Sequence, residues 1–116
     1  MQIGLDLVEN QRIAAAYEKH GERFCRRFLS DKEMQQFYSD YQESISYLAS
    51  RWAAKEALYK AYQGKKSWTW VCQFSVLAQK EQPPRISHPD FPRCDFISLS
   101  LSHEKNMAIC MVLLQT

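Results

Sequence analysis

The sequence predicts a single α+β domain in which an antiparallel sheet packs against one long helix. Residues 10–64 carry good helix formers with apolar side chains three and four positions apart. Residues after Gly64 are instead rich in β-branched and aromatic side chains, which favour strands. Helices grouped early and strands grouped late are typical of the α+β class. A chain of 116 residues has core for one domain, so we take 1–116 as one unit.

The first third of the chain predicts a strand followed by short helices. Residues 2–8 read as a strand, and residues 10–29 have helical spacing that Gly21 breaks into two parts. Ser30 precedes Glu33 by three positions, which is the spacing of a capping box at the start of another helix. A long helix then covers the stretch that ends at Gly64.

The last part of the chain predicts strands around a proline-rich loop. Residues 68–78 are aromatic and β-branched and predict a strand, while residues 80–93 hold all four prolines and predict a loop with at most a brief strand. Residues 97–103 alternate between apolar and serine side chains, and residues 107–115 are mostly apolar. These two segments predict an antiparallel hairpin that turns at residues 104–106.

Composition excludes several classes of protein. The formal net charge of +2 is too small to indicate a nucleic-acid binder by itself. No apolar run approaches the roughly 20 residues that cross a bilayer, and the N-terminal residues do not resemble a signal peptide. We therefore expect a cytosolic protein. The cysteines are widely spaced, and we expect reduced packing residues at Cys25, Cys72, Cys94 and Cys110.

Two carboxylates occupy positions that look built for burial. Asp6 lies inside the first strand, and Glu56 lies on the apolar face of the long helix. Each has an ordinary explanation, a strand-end cap for Asp6 and an i, i+4 ion pair with Lys60 for Glu56. Together, a carboxylate from a strand and one from the helix packed on it would suit Mg²⁺, with substrate phosphates and waters as the other ligands.

Cationic residues surround this pair in the sequence. Five lie on the long helix or directly after it: Arg51, Lys55, Lys60, Lys65 and Lys66. They are either solvated charges or a clamp for a phosphate-rich ligand. His103 ends a strand in phase with its apolar side, where a histidine is either structural or a phosphate contact.

A second basic cluster lies on the early helices. It consists of Arg12, Lys19, Arg23, Arg26 and Arg27, and Glu18 and Glu22 partly offset it. It is either a solvated face or a surface that steers an acidic partner.

Four ordered blocks carry a resemblance to a known family. They read "GLDLVENQRI", "FCRRFLSDKEM", "LASRWAAKEALYKAY" and "SLSLSHEKNMAICMVLL". In this order and at these separations they resemble the holo-[acyl-carrier-protein] synthase branch of the 4'-phosphopantetheinyl transferases. The blocks cover most of the chain.

The resemblance implies a reaction and its central residues. Such enzymes move 4'-phosphopantetheine from coenzyme A to a serine of apo-acyl carrier protein and release adenosine 3',5'-bisphosphate, a step that serves fatty acid biosynthesis. It implies that Asp6 and Glu56 bind Mg²⁺ and that Lys60 acts as general base or phosphate contact. The proton of the carrier serine could pass to Lys60, Glu56 or a metal-ordered water, and the sequence leaves these open.

The resemblance also implies partners and an assembly. Arg51, Lys55 and His103 match positions near the coenzyme A phosphates, and the turn holding Gly64 and Lys65 matches a segment near the nucleotide. The basic surface that receives the carrier would comprise Arg12, Arg23 and Arg27. Members of this branch are usually trimers with active sites between subunits.

The chain departs from the family pattern in two places. Residues 62–65 read Tyr-Gln-Gly-Lys where Phe-Gly-Thr-Gly is common, and residues 82–84 read Gln-Pro-Pro where Gly-Lys-Pro is frequent. A non-catalytic module that binds the carrier protein or coenzyme A is therefore one alternative. A basic nucleic-acid module is another, and it predicts steeply salt-dependent affinity while giving no role to Asp6 or Glu56.

Overall fold

A computed structural model of the chain describes residues 1–115. The described residues form five helices and five strands. The first strand comes before all the helices, and the other four strands follow them. The helices are α1 (Asn10–His20), α2 (Glu22–Cys25), α3 (Asp31–Ser39), α4 (Ile45–Ala61) and α5 (Trp68–Val71). The strands are β1 (Gln2–Glu9), β2 (Ser75–Gln79), β3 (Gln82–Ser87), β4 (Ile97–Glu104) and β5 (Met107–Leu114). The predicted α+β class is confirmed.

The main sheet places β5 between β1 and β4, and every pair is antiparallel. Asp6 of β1 lies opposite Cys110 of β5, which in turn lies opposite Leu101 of β4. The predicted hairpin of β4 and β5 is therefore confirmed, and β1 and β4 form opposite edges. β2 and β3 pair in a separate two-stranded sheet. Among the described residues, no helix has the length and apolar content needed to cross a bilayer.

Helix α4 lies against β1 and β5 and forms the centre of the core. Residues on almost all sides of α4 are buried, among them Leu48, Ala53 and Leu58. The helix is therefore more buried than a helix with a single apolar face would be. Contact with β1 depends on Gly4, because a Cβ there would lie 1.8 Å from the Ala57 carbonyl oxygen. This close approach fixes the strand that carries Asp6 against the helix that carries Glu56.

The structure corrects the prediction for residues 68–78. Trp68–Val71 form a short helix, and only Ser75–Gln79 form a strand. The Ser67 hydroxyl accepts a hydrogen bond from the Trp70 backbone N–H and caps this turn. Local capping by a serine therefore overrides the strand propensity of the aromatic residues. The cap predicted at Ser30 is confirmed, since Ser30 and Glu33 form a complete capping box at the start of α3.

One face of the main sheet is covered by α4, and the opposite face is open. The open face exposes large apolar side chains, Ile3, Leu5 and Leu7 of β1 and Met111 of β5, each with more than a third of its surface accessible. Their register places them side by side, with Leu5 opposite Met111. The face therefore exposes apolar side chains from two neighbouring strands in a single protomer.

Candidate active site

The two predicted metal carboxylates lie on neighbouring elements at one edge of the sheet. Asp6 points from the inner face of β1, and Glu56 lies on the adjoining side of α4. Lys60, one turn after Glu56, donates hydrogen bonds to the Asp6 Oδ1 atom and to the Leu5 carbonyl oxygen, both at 3.0 Å. The Asp6 side chain is 14% exposed and that of Lys60 is 52% exposed. The structure thus brings Asp6, Glu56 and Lys60 together.

The electrostatics of Glu56 fit a place for a cation. Burial and the nearby charge of Asp6 raise the pKa of Glu56, while Lys60 and Arg12 lower it in part. Two carboxylates that repel each other at a partly buried site are stabilised by a divalent ion between them. Among residues 1–115 no group of three or more His, Cys, Asp or Glu side chains could hold a metal ion. Two carboxylates are a donor set that Mg²⁺ can use, because it takes few protein carboxylates and completes its shell with waters and phosphate oxygens.

A cationic cleft of about 560 Å³ opens at the other edge of the sheet, between the start of α4, the β2–β3 hairpin and β4. Arg51 lines this cleft and is only 4% exposed. Its Nε atom donates to the Val76 carbonyl oxygen at 2.8 Å, its Nη1 atom donates to the Ser50 hydroxyl at 2.9 Å, and its guanidinium lies over the Tyr47 ring. Among the described residues the Nη2 atom has no hydrogen-bond partner, and it is buried. The positive charge of the guanidinium at the cleft favours an anionic ligand there.

His103 lines the same cleft from the end of β4. Its Nδ1 atom lies 3.3 Å from the Ser46 hydroxyl. Burial and the charge of Arg51 lower the pKa of His103, so the ring is neutral at pH 7 and offers one N–H donor. Arg51 and His103 therefore line the same cleft. The sequence missed Ser46, which no motif marks.

The structure does not place Lys55 with these cations. Lys55 is fully buried, and its Nζ atom donates to Glu33 at 2.7 Å, to the Phe28 carbonyl oxygen at 2.7 Å and to the Cys72 carbonyl oxygen at 3.0 Å. These three acceptors use all of its donors, so none remains for a phosphate. Lys55 is a structural cation, and its prediction as a cofactor contact is wrong. The sequence predicts only a capping role for Glu33 and does not indicate its ion pair with Lys55. The signal that could have indicated this pair is a charged residue among apolar neighbours on each of two helices.

Gly64 and Lys65 are adjacent residues in the turn after α4, and both are exposed. Gly64 has φ 77° and Gln63 has φ 54°, so both adopt the left-handed region. Gln63 therefore has a backbone conformation that favours glycine, although it carries a side chain. The Lys66 ammonium lies 4.5 Å from the centre of the Trp70 ring, whereas Lys65 extends from the exposed turn.

The predicted docking arginines are all exposed on the helical side of the molecule. Arg12 lies on α1, Arg23 on α2 and Arg27 directly after α2. Arg12 is close enough to Glu56 to influence its pKa, so the basic surface adjoins the carboxylate pair. The four cysteines are free; Cys25, Cys94 and Cys110 are buried and Cys72 is partly buried, as packing residues should be.

Comparisons with known proteins show the family of the chain. Residues 2–112 match the family model described as the 4'-phosphopantetheinyl transferase superfamily. The chain is 36% identical to a holo-[acyl-carrier-protein] synthase of Pelodictyon phaeoclathratiforme, over 99% of this chain and 98% of the relative. It is 35% identical to that of Thermus thermophilus, over 97% of this chain and 91% of the relative.

Solved structures show the same fold. The Helicobacter pylori holo-[acyl-carrier-protein] synthase in complex with coenzyme A matches with a TM-score of 0.77 and 28% identity, over 97% of this chain and 99% of the other. The Neisseria meningitidis synthase matches with a TM-score of 0.80 and 26% identity, over 99% and 98%. A family match over nearly the whole chain, together with this likeness, leads to one conclusion: the chain belongs to the 4'-phosphopantetheinyl transferase superfamily, in its holo-[acyl-carrier-protein] synthase branch.

Proposed function

We propose that this chain transfers 4'-phosphopantetheine from coenzyme A to a serine of apo-acyl carrier protein in a Mg²⁺-dependent reaction. The observation that carries the proposal is the pairing of Asp6 with Glu56, beside Lys60, at the edge of β1. Structures with coenzyme A bound among the related synthases support the choice of donor.

Phosphoryl-type transfer depends mainly on positioning and on neutralisation of charge, and the residues fit those tasks. Asp6 and Glu56 would hold the ion. Mg²⁺ bound there would supply Lewis-acid stabilisation of the pyrophosphate and of the leaving nucleotide. Lys60 is half exposed and contacts Asp6, so its ammonium can reach a phosphate oxygen beside the carboxylates. The serine proton would pass to Lys60, to Glu56 or to a water ordered by the ion.

The cationic cleft supports a second contact with coenzyme A. Arg51 and His103 would offer N–H donors to one of its phosphates, and the positive charge of the Arg51 guanidinium favours an anion there. The cleft lies beside β4, and the carboxylate pair lies beside β1. Strand β5 separates β1 from β4 in the sheet, and α4 packs against both β1 and β5. Because one protomer turns these two groups to opposite sides, we infer that a site is completed by two protomers. Lys65 and the Gly64 turn would add contacts to the nucleotide.

The open sheet face supports a homotrimer. Ile3, Leu5, Leu7 and Met111 expose an apolar surface that a monomer leaves in water. A closed ring of protomers would bury it and bring the β1 edge of one protomer towards the β4 edge of the next. Light scattering of the purified chain tests this: we expect three times the monomer mass, and a monomer would contradict it.

The basic helical surface supports docking of the carrier protein. Arg12, Arg23 and Arg27 are exposed on or directly after the early helices, and the charge of Arg12 acts on Glu56. An acidic carrier guided there would present its serine near Asp6 and Glu56. Arg12→Glu or Arg27→Glu should weaken use of the carrier while coenzyme A binding changes little.

The proposed reaction has a direct assay. The chain is incubated with apo-acyl carrier protein, coenzyme A and Mg²⁺, and the carrier is analysed by intact-mass spectrometry. We expect one phosphopantetheine adduct on the carrier serine, which chelation of the metal prevents. Binding of coenzyme A or of the carrier without any adduct would instead indicate a non-catalytic binding module. Cytosolic location and a role in fatty acid biosynthesis stay predictions.

A further inference from the structure

A second cavity opens on the helical side of the molecule, and no step of the proposed transfer uses it. Its volume of about 750 Å³ lies within the range of ligand pockets, roughly 300–1,000 Å³. We call it the lateral cleft. Its walls include Leu29, Trp68 and Cys72, and its rim carries Arg26, Arg27 and Lys32.

The rim of the lateral cleft is basic. The one carboxylate among its lining residues is Asp31. Arg26 forms an ion pair with Glu22 at 2.9 Å. Among the described residues, neither Arg27 nor Lys32 forms an ion pair with a carboxylate. The uncompensated charge at the mouth is therefore positive, which selects an acidic ligand.

Two polar groups in the wall of the cleft already have hydrogen-bond partners. The Trp68 indole N–H donates to the Arg27 carbonyl oxygen at 3.1 Å, and its ring packs against Trp52 with centres 5.6 Å apart. The Ser75 hydroxyl bonds the Ser30 hydroxyl at 2.6 Å. An apolar group from a ligand can therefore enter against Trp68 without depriving the cleft of a hydrogen bond.

We propose that the lateral cleft extends the carrier-docking surface and receives an acidic segment of the carrier protein that bears an apolar side chain at its centre. This inference rests on the proposed function. Arg27 belongs both to the docking arginines and to the rim, so the two surfaces are continuous. The cleft is lined by residues of α3, α5 and the segments beside them, and none of the exposed apolar residues of the open sheet face lines it.

Two substitutions test the lateral cleft without touching the proposed catalytic or docking residues. Lys32→Glu reverses a rim charge, and Thr69→Trp, at an exposed position on the lining, fills the interior. Arg85→Glu is the matched control, because Arg85 is exposed on β3 and lines neither cavity. Steady-state transfer is measured with an apo-acyl carrier protein, and binding of the same carrier is measured by calorimetry.

We expect Lys32→Glu and Thr69→Trp each to weaken carrier binding and raise the carrier KM by about tenfold, as loss of a complementary contact does. The kcat and the coenzyme A KM should stay unchanged, and Arg85→Glu should behave as the unmodified chain. Higher salt should weaken carrier binding by the unmodified chain more than by Lys32→Glu. Carrier affinities and KM values equal to those of the control would overturn the inference and leave the proposed function standing. Absence of the adduct with the unmodified chain would instead overturn the proposed function, and the calorimetric comparison would still decide on the cleft.

Discussion

Removal of the Lys55 ammonium by Lys55→Met should destabilise the fold severely. Lys55 and Glu33 are both fully buried, and their atoms lie 2.7 Å apart. Glu33 also accepts hydrogen bonds from the Ser30 and Val76 backbone N–H groups at 2.8 Å, so its charge is fixed in place. Loss of one partner of a buried pair leaves an uncompensated charge and costs about 3–5 kcal/mol. For a chain of this length we expect a Tm at least about 10 °C lower.

Urea unfolding followed by circular dichroism measures this loss, and Lys60→Met is the matched control. The ion pair of Lys60 with Asp6 is half exposed, so its removal should cost at most about 1 kcal/mol. The double variant Lys55→Met with Glu33→Gln should recover part of the loss, because no unpaired charge remains. Coenzyme A affinity of folded Lys55→Met should equal that of the unmodified chain. A loss of stability below about 1 kcal/mol in Lys55→Met, or a clear loss of coenzyme A affinity, would refute the structural role of Lys55.

Three further substitutions have defined outcomes. Gly4→Ala places a Cβ 1.8 Å from the Ala57 carbonyl oxygen and should cost about 3 kcal/mol in urea unfolding, with impaired transfer because Asp6 and Glu56 move apart; unchanged stability would contradict the close contact. Glu56→Gln should abolish transfer yet raise the stability of the metal-free protein at pH 7 by a few tenths of a kcal/mol. Because the folded-state pKa of Glu56 is raised, ionisation of Glu56 destabilises the fold as pH rises through that pKa. The stability gained by Glu56→Gln should therefore vanish in acid. A stability gain that grows in acid would contradict the raised pKa. Gln63→Gly should stabilise the chain by about 0.5 kcal/mol, since the residue has φ 54°, and a loss of stability would show that the Gln63 side chain makes a needed contact.

The sequence predicts the elements whose signals are local. Alternation in β4, the apolar run of β5 and the Ser30–Glu33 spacing each appear as predicted, because pleat and cap geometry depend on neighbours in the chain. Residues 68–71 were predicted wrongly because aromatic side chains there pack in three dimensions while Ser67 caps a helical turn.

The sequence predicts less about the site, because helical spacing cannot separate an exposed cation from a buried one. Lys55 and Lys60 look alike on a helical wheel that is apolar nearly all round, yet Lys55 finds Glu33 and two carbonyl groups, whereas Lys60 reaches Asp6 at the surface. The partnerless Nη2 atom of Arg51 and the lateral cleft depend on the packing of segments distant in sequence, so no motif indicates them.

The central claim is that the carboxylate pair of one protomer works with the cationic cleft of its neighbour. The most direct test mixes two impaired variants, Glu56→Gln and His103→Ala, by refolding them together and measures carrier adduct by mass spectrometry. With random assembly through a head-to-tail interface, about one quarter of the sites should contain both native groups and recover activity. A mixture no more active than the mean of the two separate variants would contradict a site shared between protomers.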